Sequence, residues 1–378
     1  MKKAALLMQC AANGGVQRVM VNLARGLLAQ GAEIDFLIAD ARGEMRALIP
    51  QECTVYDFAK RRYRGDLKVF LSLPRIAQYM RKHPDTAILA APGLSCTMAA
   101  FLKFFHRKAR VVLIEDNRCL LLKRDGLYHK AVFLANRLFF RFADAVAAAH
   151  TPAMLDVLQC YGVKKERARV VYHPLIEPDA IRDAQPETEH PFVKPKADGY
   201  RLLLAAGRLV PEKAFDDLID AAAMVRKEQK IKLLILGEGE QRALLQEKIA
   251  AHGMQADVEL YGYTDRVYSF MKSADLFVLS SRKEAFGNVL VEAIACGLPC
   301  VATDCDSGGP KEIMETPGAG KFGVLCEKEN VRALADAMQT ALAGQYDQAD
   351  FAAKAARAVA QGTCERGIVL CTTGIGVS

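Results

Sequence analysis

The sequence predicts an α/β protein made of two Rossmann-like, doubly wound parallel-sheet domains. The chain has 378 residues, more than a single hydrophobic core ordinarily serves. Short apolar segments alternate with helical segments in both halves, as is typical of βαβ units. Between the halves, residues 174–200 are rich in prolines and charges and show no periodicity. We therefore predict a first domain at 1–173, a linker at 174–200 and a second domain from residue 201.

The first half begins with the strand KKAALLMQ, whose basic start and short apolar stretch could also pass for a signal peptide. The helix GGVQRVMVNLARGLLAQG, closed by Gly31, and the strand IDFLIA follow. Further predicted strands are TAILAA (86–91), RVVLIE (110–115), DAVAAAH (144–150) and RVVYH (169–173). The apolar stretch at the start ends at polar Asn13, so we predict a first β-strand there.

The second half repeats the alternation. Its predicted strands are YRLLLAAG, IKLLILG, DVELYG, DLFVLS and PCVAT, separated by helical segments. Doubly wound sheets bind ligands at the carboxyl ends of their strands. We therefore expect a ligand in a cleft between the two domains, at the carboxyl ends of both sets of strands.

Composition narrows the class of protein. Hydrophobic residues make up 51% and charged residues 25% of the chain, which is typical of a soluble globular protein. No run of about 18 apolar residues is long enough for a membrane span. Eleven cysteines are scattered without metal-ligand spacing, so we predict reduced thiols and a cytoplasmic location.

Positive charge is concentrated in the first half. Residues 1–177 hold 28 Lys and Arg against 15 Asp and Glu, a net charge of +13. The cations Lys103, Arg107, Lys108 and Arg110 lie in one dense segment, and Phe104, Phe105, Phe139 and Phe140 lie among the cations. Either this is an ordinary solvated face, or it contacts an anionic membrane. No nucleic-acid-reading module is visible, so we predict no nucleic-acid partner.

Unusual residues gather in the loops after strands. Asn13, Gly14 and Gly15 follow the first strand, where glycines let backbone N–H groups approach a phosphate or a sugar. After YRLLLAA comes GRLVPEK, in which Arg208 and Lys213 stand five positions apart across a proline turn. Two cations at a strand end can bind a diphosphate. Solvated surface cations are the alternative interpretation.

The segment GEGEQR follows the strand IKLLILG. It offers G-x-G-x-x-R where a dinucleotide-binding motif has a third glycine, and it follows the second strand of its domain instead of the first. We therefore do not predict a dinucleotide site.

Two acids flank a glycine turn in SSRKEAFGNVLVEAIACG. Glu284 precedes the predicted helix and Glu292 lies inside it, eight positions later. The amides of Phe286, Gly287 and Asn288 at the helix start would meet negative charge. Carboxylates accept hydrogen bonds from ribose and sugar hydroxyls. The loop therefore indicates a site for a sugar joined to a nucleoside diphosphate.

Several motifs in combination carry a family resemblance. GRLVPEK, GEGEQR, EAFGNVLVE with its E-x7-E spacing and GLPCVATDCDSGGPKEI resemble the retaining glycosyltransferases of family 4, of GT-B fold. GGVQRVMVNLARGL and ADAVAAAHTPAMLDVLQCYGV resemble the same family, so the resemblance covers roughly residues 3–345. It places the nucleotide-sugar domain at 201–345 and leaves 346–378 as a tail unlike the usual ending.

The resemblance implies roles for individual residues. Arg208 and Lys213 would hold the donor diphosphate, and Glu292 would hold the ribose. Glu284, with the amides of Phe286 to Asn288, would hold the transferred sugar. The other implied donor-site residues are Gly14, Gly15, Gly207, Gly262 and Tyr263. Asp116 stands where relatives often carry a histidine, so a catalytic role is assigned to an acid there.

Two histidines also depart from the family pattern. His150 and His173 stand where relatives usually show Ser and Asn, and we interpret each as a packed or capping residue. Asp304-Cys305-Asp306 has the D-x-D spacing but matches a family loop that is not used for metal. We therefore predict no metal and no cofactor, the positive charge on the leaving diphosphate coming from Arg208 and Lys213.

The predicted function follows from the resemblance. It is retaining transfer of a hexose or N-acetylhexosamine from a nucleoside-diphosphate sugar to a glycan or polyprenyl-linked acceptor. We expect the nucleotide of the donor to be UDP. Such chemistry belongs to cell-envelope polysaccharide or lipopolysaccharide synthesis, at the inner face of the cytoplasmic membrane. Two alternatives stay open: a non-hydrolysing UDP-sugar epimerase of the same fold, and a catalytically inactive nucleotide-sugar-binding protein.

Overall fold

The computed structural model describes residues 3–12, 14–58, 66–91, 93–115, 126–172, 178–193, 199–315 and 322–344. Contacts divide the chain into two compact units, Met1–Leu175 and Ile176–Ser378. The tail predicted at 346–378 lies outside the described residues. Within those residues, no helix is long and apolar enough to span a bilayer.

The first unit contains a seven-stranded parallel sheet. Its strands are β1 (Lys3–Cys10), β2 (Glu33–Asp40), β3 (Thr54–Asp57), β4 (Ala87–Ala90), β5 (Arg110–Glu115), β6 (Ala145–Ala148) and β7 (Ala168–Val170). The strand order is β3-β2-β1-β4-β5-β6-β7. The order reverses between β1 and β4, which makes the carboxyl ends of these strands the expected ligand edge of the sheet.

Helices cover both faces of this sheet. They are α1 (Gly15–Ala29), α2 (Asp66–Lys82), α3 (Leu94–Phe105), α4 (Leu127–Phe139) and α5 (Thr151–Tyr161), with 3₁₀ turns at Glu44–Leu48, Phe140–Phe142 and Lys165–Arg167. Successive strand residues point to opposite faces. Leu7 therefore packs in one core, with residues of α3, and Leu6 packs in the other, with Met20 of α1.

The second unit contains a six-stranded parallel sheet. Its strands are β8 (Arg201–Ala206), β9 (Ile231–Leu236), β10 (Val258–Gly262), β11 (Leu276–Leu279), β12 (Cys300–Asp304) and β13 (Gly323–Glu327), in the order β10-β9-β8-β11-β12-β13. The order reverses between β8 and β11. The two loops that carry the predicted cations and acids follow these two strands.

The helices of the second unit complete the doubly wound pattern. They are α6 (Pro178–Asp183), α7 (Phe215–Val225), α8 (Arg242–Ala251), α9 (Val267–Ser273), α10 (Asn288–Ala295), α11 (Gly309–Met314) and α12 (Val331–Ala343), with a 3₁₀ turn at Pro211–Lys213. Leu218 and Ile219 of α7 and Met338 of α12 are completely buried in one core with strand residues such as Leu203. Two parallel sheets flanked by helices confirm the predicted α/β fold class.

The predicted strands correspond to observed ones except at the sheet edges. Strands β3 and β13 were not predicted, and each is the last strand at one end of its sheet. Edge strands lack the continuous apolar run of a strand buried on both sides. The predicted strand at 169–173 is observed as Ala168–Val170, so it ends earlier than expected.

The described part of the predicted linker is attached to the second unit. The Lys272 ammonium donates a hydrogen bond to the Ala184 carbonyl at 2.8 Å, and the Ser273 hydroxyl donates to the Glu187 carbonyl at 2.8 Å. Glu187 is buried, and its side chain pairs with Arg266 at 3.0 Å. The N–H of Glu189 and, next, that of His190 lower the pKa of the Glu187 carboxyl against the opposing effect of burial.

Two residues of the predicted basic and aromatic surface are not at the surface. Lys103 is 8% exposed, and its ammonium donates to the Ala109 carbonyl at 2.6 Å and pairs with Asp144 at 2.9 Å. Phe140 is completely buried. The prediction that these two side chains face a membrane was therefore wrong. A buried ammonium is stable here because carbonyls and a carboxylate surround it.

Candidate functional site

The candidate donor site lies at the carboxyl edge of the second sheet, where strands β8 and β11 are neighbours. One loop, Gly207–Lys213, follows β8, and another, Ser280–Gly287, follows β11. This is the point of strand-order reversal at which doubly wound sheets bind ligands.

The loop after β8 is held by main-chain contacts with the neighbouring loop after β9. The N–H of Gly207 donates to the Leu236 carbonyl, and the N–H of Leu209 donates to the Glu238 carbonyl, both at 2.9 Å. Gly237 has φ +142°, and a Cβ there would lie 1.9 Å from the Gly207 carbonyl oxygen. The glycine is therefore required both by its backbone angle and by the close approach.

The second glycine of GEGEQR is also used for close packing. A Cβ on Gly239 would lie 2.3 Å from the Leu209 carbonyl oxygen, and the N–H of Gly237 donates to the Gly262 carbonyl at 2.7 Å. Both glycines of the motif thus fix the backbone of the cation-bearing loop. We call Gly207, Gly237, Gly239 and Gly262 the glycine stack.

Lys213 and Glu284 lie against each other. The Lys213 ammonium donates a hydrogen bond to Oε1 of Glu284, and the Ser281 hydroxyl donates to the same oxygen at 3.0 Å. The Ser280 hydroxyl donates to the Lys213 carbonyl at 2.9 Å. The side chains of Lys213 and Glu284 are 18% and 11% exposed, respectively. The structure thus brings together the cation assigned to the diphosphate and the acid assigned to the sugar.

Arg282 connects the loop after β11, in which it lies, with the loop after β8. Its backbone N–H donates to the Glu212 carbonyl and its guanidinium to the Pro211 carbonyl, at 2.8 and 2.9 Å. The guanidinium also pairs with Asp216 and Asp217 at the start of α7, each at 2.8 Å. The hydrogen bond with Asp216 raises the pKa of Arg282, while burial and then the charge of Asp216 raise the pKa of Asp217.

Arg282 was missed by sequence reasoning. It lies in the quoted SSRKE segment, two positions before Glu284, and the acid pair Asp216-Asp217 stands just after Lys213. An arginine on one strand-end loop and two acids just after the other loop were the available signal.

Arg208 lies in the same loop with a different environment. Its side chain is exposed, and it forms no ion pair with any residue that the structure describes. It does not contact Lys213 through any bond found among those residues. The two predicted diphosphate cations therefore share a loop, one paired with an acid and the other reaching into solvent.

The helix α10 begins beside this pair. Its first turn follows Gly287, which has φ +103° and ψ +48°, and no described side chain caps it. Phe286 is buried, and a Cβ on Gly309 would lie 2.5 Å from its carbonyl oxygen. The turn is therefore clamped between β11 and α11, with the positive end of the α10 dipole at the site.

Glu292 lies deeper in the second unit. It is 6% exposed on α10, and the Tyr268 hydroxyl donates to its Oε1 at 3.4 Å. Tyr263, by contrast, is 58% exposed and follows Gly262 at the end of β10, two strands from β8. The residues of the second unit that are implied for the sugar nucleotide thus occur at this edge or on the helix that leaves it.

The D-x-D segment has other partners. Asp304 pairs with Lys311 at 3.3 Å, and Asp306 pairs with Lys328 at 2.7 Å. The Cys305 thiol between them donates to the Ser281 carbonyl at 3.1 Å, and burial raises its pKa to about 12. This thiol is therefore protonated at neutral pH and supports the loop instead of serving as a nucleophile.

In the first unit, α1 begins at Gly15, a few residues after the end of β1. Gly14 is the residue before the first helical turn, and a Cβ there would lie 2.4 Å from the Gln17 amide oxygen. Asn13, Asp116 and His173 lie outside the described residues. His150 is buried, and its Nδ1 accepts a hydrogen bond from the Ala153 N–H at 3.3 Å, which confirms it as a helix-capping residue.

Family models match both halves of the chain. The model described as Glycosyltransferase Family 4 matches residues 13–175, and that described as Glycosyl transferases group 1 matches residues 186–358. The second match contains the whole candidate donor site.

Individual proteins are similar over most or part of the chain. An N-acetylgalactosamine-N,N'-diacetylbacillosaminyl-diphospho-undecaprenol 4-alpha-N-acetylgalactosaminyltransferase of Campylobacter jejuni is 26% identical over 90% of this chain and 90% of its own. An uncharacterized glycosyltransferase of Methanocaldococcus jannaschii is 29% identical over 53% of this chain, which spans 52% of that protein. The crystal structure of Anabaena HepE in complex with UDP-glucose has a TM-score of 0.70 at 20% identity, over 96% of this chain and 100% of that one.

Proposed function

This chain belongs to the glycosyltransferases of family 4, of GT-B fold, and we propose that it transfers a hexose or N-acetylhexosamine from a nucleoside-diphosphate sugar. The observation that carries the proposal is the pairing of Lys213 with Glu284 at the strand-order reversal between β8 and β11. One group can bind a diphosphate and the other a sugar, within one hydrogen bond of each other.

The proposed reaction depends on stabilising the leaving group, which is the nucleoside diphosphate. In the transfer, the bond between the donor sugar and the diphosphate breaks, and a bond from an acceptor hydroxyl to the same sugar carbon forms. We propose retention at that carbon, with the hydroxyl proton passing to the departing diphosphate. Negative charge then develops on the diphosphate, where Lys213, Arg208 and the α10 amides stabilise it.

Glu284 has the complementary role. Positive charge develops on the transferred sugar as the bond breaks, and a carboxylate held by Ser281 and Lys213 lies fixed beside it. Glu292 is assigned to the ribose hydroxyls. Because protein cations supply the positive charge on the leaving group, we propose that the reaction needs no cofactor or metal beyond the sugar nucleotide.

We propose that the acceptor binds to the first unit, which the family 4 model matches. The Campylobacter relative carries a diphospho-undecaprenol acceptor in its name, and HepE was crystallised with UDP-glucose. We propose by analogy a UDP-linked donor and a glycan or polyprenyl-linked acceptor in cell-envelope polysaccharide synthesis.

The test is a panel of nucleotide sugars measured first for thermal stabilisation. A donor present at 100 times its dissociation constant adds about 2.7 kcal/mol of stability, which a melting curve resolves. Donors that stabilise the protein are then incubated with and without polyprenyl-linked acceptors, and the glycosylated product is measured together with nucleoside diphosphate.

Three outcomes separate the candidate functions. Acceptor-dependent product with release of nucleoside diphosphate supports a transferase. A new sugar nucleotide formed without acceptor would instead show an epimerase. Stabilisation by a donor with no turnover on any acceptor in the panel would show a binding protein.

A further inference from the structure

Helix α4 (Leu127–Phe139) presents apolar side chains to solvent. Leu127 is 86% exposed, Leu134 is 65% exposed and Leu138 is 47% exposed. They stand seven and four positions apart, which places them on one face of the helix. A surface helix ordinarily turns such a face toward the core.

The same helix buries a polar residue. Asn136 is completely buried, its side-chain oxygen accepts from the Thr97 hydroxyl at 2.6 Å, and its amide donates to the Tyr161 hydroxyl at 3.2 Å. These bonds tie α4 to α3 and α5. The helix is thus oriented by a satisfied polar network inside, while its leucines point outward.

The apolar surface continues onto the end of α3. Phe105 is 62% exposed and lies edge-on to Phe101 and Phe104, both of which contact Phe139 of α4. We call Phe105, Leu127, Leu134 and Leu138 the apolar face. Contiguous exposed apolar side chains mark a contact surface for a partner or a membrane.

Exposed cations occur on the same helix as this face and next to it in the chain. Exposed basic residues stand on α4 and in the segments that follow α3 and α4: Arg107, Lys108, Arg110, Lys130, Arg137 and Arg141. The α4 sequence LYHKAVFLANRLF contains no acid. An apolar stripe flanked by cations is the pattern of a helix that lies in the interface of an anionic bilayer.

We propose that the apolar face and its flanking cations dock this protein on an anionic lipid bilayer, with α4 lying along the membrane surface. A second copy of the chain fits this face poorly, because two such faces would bring six cations against six of the same sign. The bilayer supplies both the apolar interior and the negative charge.

The inference deepens the proposed function, on which its purpose rests. Helix α4 lies between β5 and β6 in the chain, so it runs back from the carboxyl edge of the parallel sheet, and its 13 residues span about 20 Å. A helix lying flat on the membrane brings that edge to the level of the lipid headgroups. An acceptor linked to a lipid presents its reactive end at the same level.

The test is co-sedimentation of the full chain with phosphatidylcholine vesicles, with and without phosphatidylglycerol, at low and high salt. Wild type is expected on anionic vesicles at low salt and to leave them as salt rises, because salt screens the attraction. The Leu134→Ser/Leu138→Ser variant should bind at least about tenfold more weakly. The affinity of the Lys130→Ser/Arg137→Ser variant for anionic vesicles should fall roughly tenfold or more, and its affinity for neutral vesicles should not change.

Matched controls come from the second unit. Leu244→Ser removes an exposed leucine of α8, and Lys227→Ser removes an exposed cation after α7. Both should bind vesicles as wild type does. Equal recovery of wild type on neutral and anionic vesicles, or equal binding by the leucine variant, overturns the proposal.

Two further readouts keep the outcomes distinct. Sedimentation velocity without lipid detects a dimer, and a dimer that the leucine variant abolishes would assign the face to a second copy and overturn the bilayer assignment. Thermal stabilisation by UDP reports the donor site in the other unit. Vesicle binding without UDP stabilisation would count against the proposed function alone, and UDP stabilisation without vesicle binding against the docking surface alone.

Discussion

The Lys213 ammonium and the Glu284 carboxylate share a hydrogen bond although 71 positions separate them in the chain. Each comes from a loop that follows one of the two strands flanking the strand-order reversal, and the Ser281 hydroxyl donates to the same carboxylate oxygen. A sugar diphosphate bound here would add negative charge next to an existing acid. Under the proposed function, Lys213 would offset both negative charges.

Replacing Lys213 by Ala should therefore impair catalysis strongly. We expect a loss of roughly 2–4 kcal/mol of transition-state stabilisation, or about 30- to 1000-fold in kcat/KM, measured by release of nucleoside diphosphate with acceptor present. The matched control is Lys227→Ala, an exposed lysine of the same unit, which should retain wild-type kinetics. Wild-type turnover in a folded Lys213→Ala protein would remove the diphosphate role.

Lys213→Ala also leaves the Glu284 carboxylate without its cation, which should lower the stability of the folded protein. In the double variant Lys213→Ala/Glu284→Gln no charge is left unpaired, so its melting temperature should lie above that of Lys213→Ala. Activity should stay low in both. A double variant no more stable than Lys213→Ala would mean that the pair is not coupled in solution.

The two acids should differ in their kinetic effects. Glu284→Gln is expected to lower kcat, because in the proposed reaction the carboxylate faces the sugar as positive charge develops, whereas Glu292→Gln should mainly raise the KM for the donor. Initial rates over a range of donor concentrations, with the acceptor saturating, separate the two constants. The division of roles is wrong if both variants change kcat and KM in the same proportion.

Arg282 should act as a positioning residue. It holds the Pro211 turn and the start of α7 against the loop that carries Glu284, so Arg282→Gln should misplace Lys213 relative to the donor. We expect a fall in kcat/KM of roughly 10- to 100-fold. The measurement is steady-state transfer together with the melting temperature.

A matched arginine tests whether that effect is more than a loss of stability. Arg226 also pairs with an acid, Asp257 at 2.8 Å, and donates to a carbonyl, that of Gly253 at 3.1 Å, away from the strand-end loops. Arg226→Gln should lower the melting temperature with little change in kcat/KM. Parallel losses in activity and stability for the two variants would reduce Arg282 to an ordinary structural ion pair.

Glu187 should make stability depend on pH. Its pKa in the folded protein is lowered, first by the Glu189 N–H, so its stabilisation is present above the ordinary carboxyl range and is lost as the pH falls through the folded-state pKa. The melting temperature of wild type should fall more steeply than that of Glu187→Gln between about pH 5 and pH 3. Glu228→Gln, at an exposed site, should behave as wild type. Identical pH profiles for the three proteins would contradict the assignment.

The sequence predicted the two sheets and the loops of the candidate site because local patterns carry that information. Apolar strands alternate with helices, and polar residues stand in the loops after the strands, as Lys213 and Glu284 do. Side-chain partners across long separations were not predictable in the same way. Arg282 finds Asp216 across 66 positions, and the ammonium of Lys103 finds Asp144 across 41. The residues next to Lys103 in the sequence do not show that its charge is buried. The many cations in that segment therefore suggested an exposed surface.

The glycine stack has a consequence for altering this protein by design. The first part of the loop after β8 is fixed by backbone hydrogen bonds alone, from Gly207 to Leu236 and from Leu209 to Glu238. Exchanging the side chain at an exposed position of the loop, such as Glu212, leaves these backbone contacts in place. Side chains of this loop are therefore open to variation, whereas a single methyl group added at Gly237 or Gly239 would collide with the backbone that fixes the loop.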